Sequence, residues 1–287
     1  MSKYLHAFLD LIFYGNFWIA LCAASMVIQT NFILHAEYII DPITYLVFGG
    51  TLFIYGIHRA VGISRLKDFL AEKRYAVIYE YRNHIRIYAI IGIMMSGFFF
   101  LTLDRTTQLF LIIPALVSAA YVIPFYGRKR LRDFDDIKIF LIAIVFGCLT
   151  VLLPTVFLNV DWGLSIFILF LERCCFIFLL TLPFDIRDLK VDKFAEVSTI
   201  PARFGEDRTK TLMVIIAGII LACAVANTYR GFYEIGIGLG IIVSTAIALL
   251  ASLKSKPEKH DYYYTGVIDG MIIIQAVLVL LLGVILY

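Results

Sequence analysis

Charge is scarce in this chain. Only 16% of its 287 residues are Asp, Glu, Lys or Arg, whereas 61% are hydrophobic. A mean hydropathy of +0.90 excludes a soluble domain, which must cover its surface with polar side chains. The net charge of +3 is small, so its placement matters more than its sum, and nothing points to nucleic acid. Paired cysteines are missing too. Cys22, Cys148, Cys174, Cys175 and Cys223 all lie inside apolar segments, and none has C-x-x-C spacing. That excludes a disulfide framework and a zinc site and leaves buried thiols. There is no Arg/Ser-rich leader: only Lys3 precedes the first long apolar run, which reads as a retained helix, not a cleaved signal. No stretch reads as a linker, so residues 1–287 are expected to form a single transmembrane domain.

Long apolar runs are abundant. A span needs about 20 apolar residues. About nine candidates are present: Leu11–Ile33, Pro42–Gly62, Ile85–Leu103, Gln108–Phe125, Ile137–Leu158, Trp162–Phe184, Thr211–Asn227, Phe232–Leu253 and Gly266–Tyr287. The expected fold class is an all-α polytopic membrane protein. Loop charge sets the expected orientation. Arg59, Arg65, Lys67, Lys73, Arg74, Arg82 and Arg86 surround the second-to-third loop. Arg128, Lys129, Arg130, Arg132 and Lys138 surround the fourth-to-fifth, and the sixth-to-seventh and the last such loop are also basic. The alternate loops offer only Arg105 and Arg230. The N-terminus is therefore expected in the cytoplasm and the C-terminus on the far side, in the inner membrane if the cell is bacterial.

Two loops on the basic side are long, Ile63–His84 and Asp185–Lys210. In the first, Leu66, Phe69, Leu70, Val77, Ile78 and Tyr81 form a partly helical apolar stripe, either a cap over a site or an interfacial anchor. The second begins with three carboxylates. Asp185, Asp188 and Asp192 stand at i, i+3 and i+7, within about 60° of arc on a helix. Such a cluster suits a divalent cation shared with phosphate oxygens. It equally suits a solvated helix end, because Arg187, Lys190 and Lys193 are interleaved.

The stretch from Phe184 to Gly205 resembles the second aspartate-rich motif of the UbiA superfamily of intramembrane prenyltransferases. The motif is D-x-x-D-x-x-x-D, then a Thr-Leu-Pro-like segment, then Gly. Here these are Asp185, Asp188, Asp192, then Thr199-Ile200-Pro201, then Gly205. The resemblance implies a UbiA-type fold with a cavity between the second and sixth helices. It implies Mg²⁺ on those three aspartates, an isoprenyl diphosphate donor and a lipid-like acceptor in the membrane. It also implies a paired motif on the second helix. That helix ends Tyr55-Gly56-Ile57-His58-Arg59, a faint echo of Phe184-Asp185-Ile186-Arg187-Asp188. Gly56, Arg59 and Ile63 stand where Asp185, Asp188 and Asp192 stand in the other word, so one carboxylate set is missing.

Arg59 and His58 are candidate diphosphate ligands, because guanidinium binds phosphate oxygens in pairs and imidazole adds a donor. The competing reading makes them cations that complement a helix C-terminus and snorkel to the interface. Arg128, Lys129, Arg130 and Lys138 are further diphosphate candidates, or plain positive-inside residues. Asp133, Asp135 and Asp136 either replace the lost carboxylates or, the better fit, cap the fifth helix. Thr51, Tyr55 and His58 share a helix face. With Tyr121, Leu171, Cys174, Phe178 and Thr181, Thr51 and Tyr55 are the expected lining of a cavity for the isoprenoid tail; packing is the bland alternative.

Glu172 and Arg173 sit mid-span and are functional candidates by position. They keep a transporter reading open, and the missing carboxylates keep a non-catalytic lipid- or partner-binding relative open. A CDP-alcohol phosphotransferase is set aside, because Asp269-Gly270 is not followed by x-x-A-R. Oligomeric state is not legible.

Overall fold

The computed structural model describes residues 3–37, 39–65, 73–123, 131, 137–194 and 198–286, and among these no strand occurs. Helix α1 (Lys3–Tyr14) meets α2 (Phe17–Ile33) at a bend of 58°. Asn16 turns the chain there with φ +67°, the left-handed region that Asn tolerates. Then follow α3 (Pro42–Arg65), α4 (Lys73–Glu80), α5 (Arg82–Thr102) and α6 (Arg105–Val122). The fifth span is composite: α7 (Ile137–Gly147), a π-helical turn (Cys148–Leu152) and α8 (Leu153–Phe157). Pro154 cannot donate to the preceding turn, and the widened turn comes directly before it. The chain continues through α9 (Leu164–Phe194), α10 (Ile200–Phe204), α11 (Glu206–Tyr229) and α12 (Ile235–Leu253). A second π-helical turn (Tyr263–Ile268) leads into α13 (Asp269–Ile285).

Among the described residues, seven helices are long and apolar enough to cross a membrane, and the bent α1–α2 pair, taken as one span, makes an eighth. Helix α3 is also long, at 24 residues, but Thr51, Tyr55, His58 and Arg59 lower its hydropathy. Counting it, the expectation of about nine holds. The boundaries moved in one instructive place. The expected loop Asp185–Lys210 is mostly helix, because α9 runs 31 residues through Pro183 to Phe194. Ile186, fully buried, ties this extension to the core. The left-handed φ of +82° at Gly205 then separates α10 from α11, a conformation that favours glycine.

Small residues set the helix spacing. A Cβ on Gly49 or on Gly92 would lie 2.6 Å from the other's carbonyl oxygen, so α3 and α5 touch backbone to backbone. Gly236 and Gly240 bring α12 against the backbone of Leu282 and Val279 of α13. Helix α9 is the hub: Phe176, Leu179, Leu182 and Ile186 are fully buried, and α7, α11 and α12 pack around it. Helices α5 and α6 turn Ile90, Met94, Phe98, Ile113 and Leu116 outward, which suits lipid on that side.

Candidate active site at the end of the central helix

The carboxylate stretch lies on the last three turns of α9, where the helix leaves the apolar core. Asp185 and Asp192 lie two turns apart, and both address one cation. Lys138, at the start of α7, places Nζ 2.6 Å from Asp185 Oδ1 and 3.6 Å from Asp192 Oδ2. Asp188 is held separately. Arg187 Nε donates to its Oδ1 at 2.9 Å, and the same guanidinium donates to Asp261 Oδ1 at 2.8 Å. The Tyr14 hydroxyl donates to the other Asp261 oxygen at 2.9 Å. The Arg187 guanidinium also lies 4.9 Å from the Phe184 ring centre and 5.4 Å from that of Tyr264.

The second-helix candidates join this network from the other side. Arg59 donates to the Phe13 carbonyl at 3.2 Å, and its guanidinium lies 5.4 Å from the centre of the Tyr14 ring. A chain of side chains, Arg59 to Tyr14 to Asp261 to Arg187 to Asp188, thus connects the ends of α3 and α9. His58 stacks on Tyr121 at 6.3 Å. Tyr262 donates to Asp10, so α1 is tied to the turn before α13 as well. Tyr14, Asp261 and Tyr262 were not singled out from sequence. The one signal was the run Asp261-Tyr262-Tyr263-Tyr264 after a lysine-rich loop. The capping stripe divides: Ile78 packs with Tyr14 and Ile85 over this end, while Leu66, Phe69 and Leu70 lie outside the described residues. So do Arg128, Lys129, Arg130, Asp133, Asp135 and Asp136.

An apolar cavity of about 250 Å³ lies between α2, α3, α5, α6 and the fifth span. Thr51 and Tyr55 line it, together with Gly50, Ser96, Ala115 and Phe146. The α9 stripe does not face it. Leu171 is 39% exposed, on the outer surface. Cys174 sits against Gly147, and Phe178 packs on Phe140 at 5.0 Å. The Thr181 hydroxyl returns to the Phe178 carbonyl. Helix α7 covers Cys174 and Phe178 of this stripe.

Glu172 and Arg173 are buried away from this site. Glu172 accepts from the Tyr233 hydroxyl at 3.2 Å, and Arg173 reaches the Met26 carbonyl and Thr30 of α2. They fasten α9 to its neighbours.

Mg²⁺ requires oxygen ligands at about 2.0–2.1 Å in near-octahedral array. Asp185 and Asp192 do converge on a cation position, but the Lys138 ammonium fills it. Among the described residues, no group of three His, Cys, Asp or Glu side chains is arranged to hold a metal. As arranged, these residues do not fit the ion.

No protein-family model and no curated protein sequence matches the chain. Solved structures do match it. A structure of digeranylgeranylglyceryl phosphate synthase is 17% identical with a TM-score of 0.58, covering 99% of both chains. A UbiA homolog from Archaeoglobus fulgidus bound to GPP and Mg²⁺ is 12% identical with a TM-score of 0.63, covering 94% of this chain and 99% of that one. An apo UbiA homolog from Aeropyrum pernix K1 is 13% identical with a TM-score of 0.61, over 92% of this chain and 98% of that one. The chain is a multi-pass, all-helical membrane protein with the fold of the UbiA superfamily.

Proposed function

We propose that this chain binds an isoprenyl diphosphate and transfers its prenyl group to a lipid-like acceptor in the membrane. The observation that carries this reading is the apolar cavity: Tyr55 lines it, and one turn further along α3 stand His58 and Arg59, of which Arg59 is connected through Tyr14, Asp261 and Arg187 to Asp188 of α9. An apolar slot ending at clustered fixed charge suits a ligand with a long tail and an anionic head. Relatives by fold that carry GPP or DMAPP with Mg²⁺ support it.

In the reaction the C1–O bond of the donor breaks, pyrophosphate leaves with the bonding electrons, and the acceptor bonds to C1 and loses a proton. The chain's own part is to hold the head with cations, Lys138 foremost, and to keep water from the allylic cation with the cavity walls. Arg59, His58, Arg128, Lys129 and Arg130 are the further proposed contacts for the diphosphate. Asp185 and Asp192 hold the Lys138 ammonium that faces it, and Asp188 holds Arg187 beside them. By loop charge, this end faces the cytoplasm.

One observation favours a second reading, a non-catalytic isoprenoid-binding relative: the second helix has no carboxylates, with Gly56 and Arg59 in their place. Titration of the chain with a non-hydrolysable isoprenyl thiodiphosphate tests both, followed by pyrophosphate release from the real donor in vesicles of membrane lipid. Saturable binding with release supports transfer, and binding without release selects the non-catalytic reading. No binding, with or without Mg²⁺, refutes both.

A further inference from the structure

We infer that Lys138 is the resident cation of the Asp185–Asp192 pair, a covalently attached replacement for a divalent metal at that position. Three observations carry this. First, the geometry is that of a shared ion: two carboxylates two turns apart on α9 face one Nζ, at 2.6 and 3.6 Å. Second, the group is nearly dry. The Lys138 side chain is 12% exposed, and those of Asp185 and Asp192 are 2% and 11% exposed. A charge so placed is costly unless opposite charge meets it, and removing either partner strands the other. Third, Lys138 is the second residue of α7. The N-terminal end of a helix carries partial positive charge and disfavours a cation there. The helix therefore does not account for this ammonium, whereas the carboxylates opposite it do.

The remaining α9 carboxylate follows the same rule. Asp188 is met by Arg187, whose guanidinium it shares with Asp261. The acidic motif is thus met by the chain's own positive charge. The ammonium has three donors, and Asp185 takes one at hydrogen-bond distance. An ammonium fixed there would also be the positive charge that an anionic head meets at this end of α9. This functional consequence rests on the diphosphate reading, but the location of the cation does not.

The test uses the full chain in detergent micelles and Mn²⁺ as a spectroscopic stand-in for Mg²⁺, with no diphosphate present. Wild type is expected to bind no Mn²⁺ through Asp185. Lys138→Met is expected to gain a site at least about tenfold tighter, because the competing ammonium is gone. Lys138→Met with Asp185→Asn is expected to lose it again. Thermal unfolding of wild type gives a second measurement that needs no Lys138 variant: Mg²⁺ against chelator should leave the midpoint unchanged. A wild-type Mn²⁺ site abolished by Asp185→Asn would overturn the inference. So would a Mg²⁺-dependent rise in the wild-type midpoint that Asp185→Asn removes, or a folded Lys138→Met variant that gains no site. Failure of thiodiphosphate binding alongside the expected Mn²⁺ results would sink the diphosphate reading and leave the cation assignment standing.

Discussion

Arg187 Nη1 lies 2.8 Å from Asp261 Oδ1 across 74 residues of sequence. This contact anchors the carboxylate end of α9 to the turn that precedes the last span, and Tyr14 attaches α1 to the same aspartate. A charge-assisted hydrogen bond in a partly buried setting contributes about 1.5–3 kcal/mol. Asp261→Asn should therefore lower stability by about that much, and Asp261→Asn combined with Arg187→Gln should cost less than the two single changes added together. Thermal unfolding in one detergent measures the cycle. Strict additivity would show that the pair is not coupled.

Backbone contact between helices gives a sharper stability test. A Cβ on Gly240 would stand 2.7 Å from Val279 Cα, with no flexible side chain to yield. Gly240→Val should cost at least about 1–3 kcal/mol by overpacking and lower the folded yield. Gly218, also in a helix, has nothing within 4 Å of its would-be Cβ. Gly218→Ala should raise the midpoint by its gain in helix propensity, up to about 1 kcal/mol. Equal effects at both glycines would contradict the tight α12–α13 contact.

Filling the cavity should separate ligands by tail length. Ala115 lines it beside Thr51 and Tyr55. Ala115→Phe is expected to weaken a long-chain thiodiphosphate by about tenfold or more while sparing a dimethylallyl one, since only the tail loses burial. Titration of the two analogues decides. Parallel losses for both would place the tail elsewhere.

The basic loops should share one side of the membrane. In a cysteine-free background, single cysteines at Arg74, Arg130, Lys193 and Lys256 should resist an impermeant thiol reagent added outside cells, whereas one at Asp161 should react. Labelling at any of the first four with none at Asp161 would reverse the topology.

Acid should loosen one helix start. Asp104 caps α6 and accepts from the Thr107 hydroxyl and backbone N–H; these bonds hold its carboxyl below the usual carboxylate range. A depressed folded value contributes stability that is present above the unfolded value of about 3.8 and lost as pH falls through the folded one. Hydrogen exchange at Thr107, corrected for the intrinsic rate, should rise across that window and be insensitive to it in Asp104→Ala. A flat wild-type profile would deny the cap its role.

What could be read in the sequence was what depends on near neighbours in the chain. Apolar runs of span length, basic loops and the 3.6-residue repeat made the helices and the two-turn spacing of Asp185 and Asp192 legible, because burial and helix geometry act over a few turns. The same local rule misjudged the end of α9. Ile186 extends that helix by packing into a core that no window of sequence contains. Partner choice was also out of reach. Lys138 looked like one basic loop residue among several, and only the packing of α7 on α9 brings its ammonium to Asp185. Asp261 and Tyr14 carried no spacing signal at all, since they meet across 247 residues. The cavity belonged to neither reading of the α9 stripe. Which face of a helix meets a neighbour and which meets open space is a property of the assembled bundle, where backbone contacts at Gly49, Gly92 and Gly240 set how closely each pair approaches.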